Sequence, residues 1–513
     1  LKTCGISDTT IFEISSGVYD TLMNIDFEIP GACDTARVIF CSFANNPDSV
    51  TISHSAVGAS DNYIIRFNET AFTEFHNLTF NATGTSYGRC FDFGTNTNYI
   101  RLKGNHICGN PLAVNTEQTA LIYNNSSCTH IVIDENQTES GFYAILFRGN
   151  NSITGVKNNV VSKNLFHNFR QFGLFTSSEK DLLIGENLFD NDYVSTSQVS
   201  IYLNNNHSVI VEKNKISQSA GQGIVVKNSQ CSAAQPGLIA NNFVSIGGSG
   251  TAIALAIDTS GYWNVYHNTL HTYPNSTFFN VALSANELQY SNFVNNIFSS
   301  NYEYSVLLKS PFLLNTSDYN VFKNNGSLII HYLTSDFSLP YWQTNYQSEL
   351  HSFQASPQFI SNTDLHVADF IVNNKGLYVG VSTDIDHEMR NLNTPDIGAD
   401  EIIAQTDPVI VRIDEPVSST ACNMPVFVKI VLLNAGLNTL YSIPVSYSVD
   451  GVLQASETWT GTLNSSDSIE YQFTTTFPGP LNTYDICAFI TLPSDEDTSN
   501  IKICKTIVAT GVG

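Results

Sequence analysis

An asparagine followed within three positions by an apolar residue recurs along most of this sequence at nearly even intervals. Successive copies between Asn77 and Asn320 are about 27 residues apart. Short stretches of alternating apolar and polar residues lie between them, for example at residues 199–203 and 223–226. A repeat of this length holds three short strands and three turns, and it cannot bury its own apolar face alone. The pattern therefore predicts stacked coils, an all-β right-handed parallel β-helix over roughly the first 400 residues.

The repeated asparagine also suggests how neighbouring coils are tied together. Asparagine tolerates the left-handed backbone conformation that tight turns need. Stacked asparagine side chains can also hydrogen-bond to each other along the coil axis. A propeller blade needs about 40 residues, so the interval excludes a propeller, and a sandwich would not repeat an asparagine at one phase. We predict a structural ladder through Asn164, Asn187, Asn214, Asn242, Asn268 and Asn296.

The regularity of the repeat divides the chain into four parts. Residues 1–76 read as an N-terminal cap with opening coils, and residues 77–322 as regular coils. Residues 323–403 read as degenerate coils and a closing cap. From residue 404 to residue 513, seven short strands at sandwich spacing predict an immunoglobulin-like β-sandwich. Cys487 and Cys504 fall on its last two strands, which suggests that they pair.

Charge and cysteine content restrict the partners and the compartment. The net charge is −24, with 22 Lys and Arg against 46 Asp and Glu. Such a surface argues against nucleic acid, and against polyanionic substrates unless a local basic groove exists. The cations look scattered along the sequence, so we predict no such groove. Ten cysteines without zinc-ligand spacing favour disulfides and an extracellular setting. No apolar run reaches the ~18 residues of a membrane span.

Several stretches resemble secreted right-handed β-helix repeat proteins of the Bacteroidota. They lie at residues 14–19, 61–65 and 77–88 and in the closing segment 357–401, and the tail from Asp407 is similar to adhesion-type immunoglobulin-like modules of that family. The resemblance implies export by the type IX route and a cell-surface or released protein. A C-terminal sorting domain would be expected next, so we interpret both ends of the chain as processed or truncated.

The motifs of known enzymes on this fold are missing from the sequence. Pectinase-like hydrolases use paired Asp, Gly-His-Gly and Arg-Ile-Lys, and none of these occurs. Lyases use a Lys or Arg base beside an acidic cluster. Arg101 with Lys103, and Lys213 with Lys215, share strand faces, but we interpret them as solvated residues without such a cluster. We therefore predict no catalytic, cofactor-binding or metal-binding residue.

An acidic stretch near residue 390 offers the densest group of carboxylates. We interpret it as a structural network in which Arg390 pairs with one or two of the acids. Calcium could use such oxygen ligands, but nothing in the sequence supports a bound ion. The stretch contains Asp384, Asp386, Glu388, Asp396, Asp400 and Glu401.

The bacterial glycosylation signal of the resembled family is Asp, then Ser or Thr, then an apolar residue or Thr. It occurs five times, and four copies lie in the first 50 residues. Its presence suggests O-glycans. The candidate positions are Thr9, Thr21, Thr35, Ser49 and Ser468.

These observations favour an extracellular structural or adhesive protein without catalytic activity, possibly a self-assembling fibril subunit. Its expected partners are further copies of itself, other cell-surface proteins and glycans. The alternative is a polysaccharide lyase or glycoside hydrolase acting in a groove on the β-helix. That reading requires convergent carboxylates, or a carboxylate set with Lys or Arg, on adjacent coils. A carbohydrate-binding module, suggested by 23 Tyr and 32 Phe, is a third reading.

Overall fold

A computed structural model describes residues 1–114, 116–149, 158–248, 250–273, 279–302, 304–311, 313–498 and 500–510. The chain forms two compact units, Leu1–Glu401 and Ile402–Gly513. The last three residues, on which the interpretation of a processed end partly rests, lie outside the described residues. No described helix is long and apolar enough to cross a membrane.

The first unit is a parallel β-helix in which each coil contributes one strand to each of three sheets, A, B and C. Sheet A contains Thr10–Ile14, Val38–Ser42, Thr73–His76, Arg101–Lys103, Val132–Asp134, Val160–Ser162, Leu183–Gly185, Ile210–Glu212, Gly237–Ala240, Trp263–Tyr266, Gln289–Val294 and Leu313–Asp318. Sheet B contains Gly17–Asp20, Val50–His54, Thr79–Ala82, His106–Gly109, Gln137–Glu139, Leu165–His167, Leu188–Asn191, Lys215–Gln218, Phe243–Ile246, Thr269–Thr272, Ile297–Ser300, Val321–Lys323 and Phe353–Gln354. Sheet C contains Met23–Ile25, Ile65–Phe67, Phe91–Phe93, Ile122–Asn124, Tyr143–Arg148, Phe172–Ser177, Val199–Asn204, Gly221–Lys227, Ala252–Asp258, Asn280–Asn286, Val306–Leu308 and Ile330–Tyr332, with Ser335–Phe337 antiparallel at its end.

One continuous apolar core fills the space between the three sheets. Alternate residues of each strand point inward, and register keeps like residues above one another. Phe166 lies directly above Phe189, for example, with their ring centroids 4.4 Å apart and both side chains buried. The core confirms the stacked coils that the repeat predicts, because each coil completes the packing of the next.

The turn between sheets A and B holds a continuous row of buried asparagines. The amide nitrogen Nδ2 of Asn214 donates to Oδ1 of Asn242, and that of Asn242 donates to Oδ1 of Asn268, both at 2.9 Å. The same oxygens also accept from the backbone N–H of the preceding asparagine. All six asparagines of the predicted ladder lie in this row. The full row is Asn105, Asn136, Asn164, Asn187, Asn214, Asn242, Asn268, Asn296 and Asn320.

The physical reason for asparagine differs from the predicted one. The left-handed conformation falls on the residue before each ladder asparagine, such as Lys213 with φ +55° and Asn241 with φ +53°. Asn77 has φ +53° and is such a residue, and Leu78 occupies the ladder position of its coil. Asparagine is needed in the row because its amide can donate and accept across consecutive coils.

The end of the β-helix differs from a simple series of degenerate coils. An α-helix at Leu339–Tyr346, which the sequence analysis missed, carries Pro340 in its first turn and packs Trp342 into the core. Proline suits this position because its fixed φ matches a helix and no N–H partner is lost. The chain from residue 357 to residue 401 then packs against sheet B, where Ala399 N–H donates to Thr269 Oγ1 at 3.0 Å.

The second unit is built mostly from antiparallel strand pairs, with one parallel pair between Ser419–Ala421 and Lys502–Thr510. Its strands are Pro408–Glu415, Ser419–Ala421, Pro425–Val426, Lys429–Asn434, Leu440–Val449, Val452–Leu463, Ser468–Gln472, Phe477–Pro478, Tyr484–Ile490 and Lys502–Thr510. Side chains of the two larger sheets share one core, for example Ile430 and Ile486. Cys487 and Cys504 lie opposite each other on adjacent strands and form a disulfide, as the sequence suggested. The immunoglobulin-like assignment stays a prediction.

Candidate functional site

The outer face of sheet C carries a row of side chains from consecutive coils. Strand register places Asp92 between Arg66 and Tyr123 on neighbouring strands. The row continues through Leu146 to Phe175 and then Tyr202. The residues beside this row, such as Ile122, are buried in the core, and strand alternation therefore turns the row outward.

Two arginines at the start of this row share one carboxylate. Arg66 Nε donates to Asp92 Oδ2 at 2.8 Å, and Arg89 Nη1 donates to Asp92 Oδ1 at 3.4 Å. Each guanidinium also lies over an aromatic ring, with its central carbon 3.9 Å from the Tyr63 centroid and 3.4 Å from the Tyr123 centroid respectively. Burial lowers the pKa of Arg89, which the neighbouring Asp92 opposes. The group is thus a partly desolvated cationic surface with aromatic walls.

The middle of the row is aromatic. Phe175 and Tyr202 stack with centroids 5.2 Å apart, and Tyr143 stacks on Phe172 at 5.1 Å. Arg148 borders these rings and forms a bidentate pair with Glu117 from the preceding turn. Tyr143 and Phe172 are buried in a small apolar cluster, at 8 % and 9 % exposure. Phe175 and Tyr202 are half-buried, so these two rings can stack against the apolar faces of sugars.

Arg170 lies in the turn that leads into the next strand of sheet C, and it is 9 % exposed. Its Nη1 donates to the backbone oxygen of Ala113. Its Nε and Nη2 atoms are buried and have no hydrogen-bond partner in the described parts of the chain. Because both N–H groups are buried, Arg170 contributes positive charge near this face but no direct contact to a ligand.

The arginines, which look scattered along the sequence, are gathered in the structure on one face of the β-helix; whether that face forms a basic groove stays a prediction. Four of the chain's eight arginines, Arg66, Arg89, Arg148 and Arg170, lie on the outer face of sheet C or in the turns leading into it. Among the described residues, the carboxylates that contact them are Asp92 and Glu117, so these four arginines outnumber their carboxylate partners by two. Sequence spacing could have revealed the group, because Arg66 and Asp92 are separated by one repeat. We name Arg66, Arg89, Arg148 and Arg170, with Tyr123, Tyr143, Phe172, Phe175 and Tyr202, the sheet C surface.

The lysines and arginines that looked solvated are paired in the structure. Arg101 binds Asp134 through Nε at 3.1 Å and Nη2 at 2.7 Å, and Glu74 faces Arg101 on the adjacent strand. The expectation that Arg101 lacks nearby carboxylates is therefore wrong, since strand register brings them together. Lys213 donates to Thr383, and Lys215 donates to Asp386 at 2.9 Å. Both lysines hold the closing segment against the coils.

The acidic stretch around Arg390 forms a network of internal pairs. Arg390 Nη1 lies 2.9 Å from Glu401 Oε2, and both side chains are buried. His366, Asp386 and Asp400 place ligand atoms within 4.8 Å of one another, and so do Asp384, Glu388 and Asp400. Hydrogen bonds to Asp364 and Asp386 raise the pKa of His366, against the effect of burial. Asp386 is thus already in contact with the His366 ring and with the Lys215 ammonium group.

The candidate glycan positions differ in accessibility. Thr9, Thr21, Thr35 and Ser468 are exposed. Ser49 is half-buried, and its Oγ lies 2.6 Å from Ser42 Oγ and donates to the backbone oxygen of Asn46. A glycan on Ser49 would break both contacts, so Ser49 is the least suitable of the five.

Comparison with known proteins supports the fold. The family described as a right-handed β-helix region matches residues 93–270. No curated protein matches the sequence. Together with the three parallel sheets, the family match shows a β-helix solenoid.

Several solved structures are similar to the chain over most of its length. The periplasmic alginate epimerase AlgG is 14 % identical, with a TM-score of 0.42, over 62 % of this chain and 76 % of that one. A GH136 lacto-N-biosidase from Eubacterium ramulus is 8 % identical, with a TM-score of 0.36, over 64 % and 63 %. The AlgE6 A-module of a mannuronan C-5 epimerase from Azotobacter vinelandii is 10 % identical, with a TM-score of 0.34, over 68 % and 92 %. Similarity at this level carries no argument about activity.

Proposed function

We propose that this protein binds an acidic polysaccharide along the sheet C surface and cleaves it by β-elimination. The observation that carries the proposal is the concentration of Arg66, Arg89 and Arg148, with the buried Arg170 in a nearby turn, at one face of a chain that has eight arginines and a net charge of −24. A cationic surface in an otherwise acidic protein concentrates an anionic ligand locally. Arginine forks match the carboxylate of a uronic acid, and the adjacent rings match the apolar faces of the sugars.

The arrangement also suits a proton abstraction beside that carboxylate. Arg66 and Arg89 would neutralise the uronate, which makes the proton on the adjacent ring carbon, C5, more acidic. The hydroxyl of Tyr123, under Arg89, is the candidate general base. As the base takes this proton, the electron pair forms the C4–C5 double bond and the C4–oxygen bond breaks. The departing oxygen then takes a proton from water.

To test this proposal, the protein is incubated with polygalacturonate, with alginate and with a neutral glucan. The proposal predicts binding of at least one acidic polymer and an ultraviolet absorbance from its unsaturated product. Tyr123→Phe should abolish the absorbance while binding is retained, and Arg89→Gln should weaken binding at least tenfold. Arg412→Gln is the matched control, because this exposed arginine lies in the second unit. Binding of the neutral glucan alone would contradict the proposal.

A second candidate function is that of an extracellular structural or adhesive protein without catalytic activity, which associates with itself or with cell-surface proteins and glycans. The observation that favours it lies in the opening strands, where Ile11 is 56 % and Val18 is 77 % exposed. Exposed apolar strands at a sheet edge promote pairing with another chain. Light scattering should show that the average particle mass rises with protein concentration, and that Val18→Lys suppresses this rise. A concentration-independent monomer would remove self-association.

Extracellular or cell-surface location, type IX export and O-glycans remain part of this second proposal. The exposed hydroxyl of Thr9 contacts the backbone oxygen of Thr35, and that of Thr35 contacts Cys33 Sγ, each at 3.4 Å. The exposed hydroxyls of Thr21 and Ser468 make no internal hydrogen bond within the described part of the chain, so a glycan fits best at these two positions. Intact-mass measurement of protein isolated from its source tests the modification. A mass equal to the bare polypeptide would exclude glycans.

A further inference from the structure

A cleft lies on the outer face of sheet A, on the same coils that begin the sheet C surface. Its volume is about 400 Å³, which lies within the usual range of small-molecule sites, roughly 300–1,000 Å³. Its polar walls come from sheet A strands of four successive coils and from the turns before them. The lining includes Asp34, Arg37, Glu74, Tyr99, Arg101 and His130.

The charged side chains of this cleft are held rigidly by one another. Arg37 donates through Nη1 to Glu74 and through Nη2 to Asp34, each at 3.1 Å. Glu74, whose side chain is 7 % exposed, also accepts from His76 at 2.8 Å. Fixed polar groups on strands keep their geometry in the absence of ligand, which reduces the ordering cost of binding.

The cleft has no excess of positive charge, unlike the sheet C surface. Its lining contains two carboxylates, Asp34 and Glu74, and two guanidiniums, Arg37 and Arg101, and Asp134 beside the lining binds Arg101. A charged ligand gains little net attraction from such a lining. A hydroxyl, which both donates and accepts, can bond to a carboxylate and a guanidinium together.

One wall of the cleft is aromatic. Phe72, Tyr99 and His130 stack on consecutive coils, with centroids 4.6 Å apart and then 4.3 Å apart. All three have positive φ, with values of +55° to +57°, because they occupy the same turn position. The stack places apolar ring atoms beside paired charges, a combination that suits a molecule with both C–H faces and hydroxyls.

We propose that this cleft binds a neutral sugar unit through its hydroxyl groups. Arg101 through Nη1, and Glu74, bond to neighbouring hydroxyls. Phe72 and His130 cover the two faces of the Tyr99 ring, so Tyr99 contacts the sugar's C–H groups with its ring edge. The site is separate from the sheet C surface and does not depend on the proposed elimination reaction. It gives the protein one place for an acidic chain and another for an uncharged sugar.

The test measures binding of cellobiose, lactose and N-acetyllactosamine, with a galacturonate dimer for comparison, by ligand-observed NMR and calorimetry. At least one neutral disaccharide should bind. Its affinity should fall at least tenfold in Arg101→Gln and in Tyr99→Asn, where asparagine tolerates the positive φ. Lys103→Gln is the control, because it lies on the same strand but pairs with Glu135 outside the lining. Thermal unfolding of each variant shows that it is folded.

The salt dependence of binding distinguishes this site from the sheet C surface. Binding of the neutral disaccharide should change less than twofold between about 0.05 and 0.5 M salt, because no net charge is neutralised. It should also be unaffected by Arg148→Gln. Failure of all three neutral disaccharides to bind, or equal affinity in wild type and in Arg101→Gln, would overturn the proposal. Neither result would affect the test of acidic polysaccharide binding.

Discussion

The side-chain amide of Asn320, the last asparagine of the ladder, donates to the buried carboxylate of Glu349 at 2.9 Å. Ser317 and Ser352 also donate to this carboxylate. The backbone N–H of Asn320 donates to Ser352 Oγ at 2.7 Å. The ladder therefore ends on an acidic group rather than on a further amide, and this makes its last coil sensitive to pH.

Replacing Glu349 with Gln should flatten the pH dependence of stability. Burial raises the pKa of Glu349 from 4.5 to about 7, although its hydrogen bonds oppose the shift. Between these two pH values the folded state holds a proton that the unfolded state has lost, so stability falls as pH rises. The difference corresponds to about 3 kcal/mol. Denaturant unfolding at roughly unit steps from pH 4 to pH 8 gives the unfolding free energy of each protein, and the slope of this free energy against pH is then compared.

The wild type should lose more unfolding free energy over this range than Glu349→Gln does. Glu13→Gln, at an exposed position in the first strand, should keep the wild-type slope. Equal slopes in the wild type and in Glu349→Gln would show that this carboxyl does not hold an extra proton in the folded state.

Removing one ladder amide should destabilise the β-helix. In Asn242→Ala, the backbone oxygens of Val211 and Ala240 and the Oδ1 of Asn268 each lose a donor at 2.9 Å. Buried acceptors without donors cost about 1–3 kcal/mol, so we expect a total loss of about 3 kcal/mol. The change is measured as a shift in the denaturant midpoint. Asn81→Ala, on the outer face of a sheet B strand, should shift stability by less than about 0.5 kcal/mol.

Breaking the pair of Arg390 and Glu401 should release the closing segment. Arg390→Met leaves a buried carboxylate without its cation, which costs about 3–5 kcal/mol. Hydrogen exchange should then quicken between residues 380 and 401. The double variant Arg390→Met/Glu401→Gln should recover part of the loss, since neither partner is then a buried unpaired charge. Unchanged exchange in the single variant would contradict this role for the pair.

The periodic part of the fold could be predicted from the sequence because each coil repeats the same local demands. Asn214 and Asn242 stand one repeat apart and meet one coil apart, so spacing alone brings them together. The helix at Leu339–Tyr346 breaks the repeat, and its Ser338 and Pro340 were a usable signal that was overlooked. Ala399 packs on Thr269, 130 residues away in the sequence. No periodic sequence pattern relates these two segments, so their contact could not be predicted.

The candidate site was harder to predict than the fold. Arg66 and Asp92 lie one repeat apart, but Arg89 and Arg170 sit in turns of variable length. Without a coil-by-coil alignment the arginines look scattered, and their common face becomes visible only when strand register is known. The same register brings Glu74 to Arg101 and creates the cleft on sheet A.

The most direct test of the central claim is the affinity for polygalacturonate and alginate at two salt concentrations, for the wild type and for the triple variant Arg66→Gln/Arg89→Gln/Arg148→Gln. Removal of three cations from a chain with net charge −24 should abolish local attraction for an anion. The account predicts that the wild type binds at least one of the polymers, more weakly at high salt, and that the variant loses at least a hundredfold in affinity while remaining folded. Equal, salt-independent binding by both proteins, or no binding by the wild type, would contradict it.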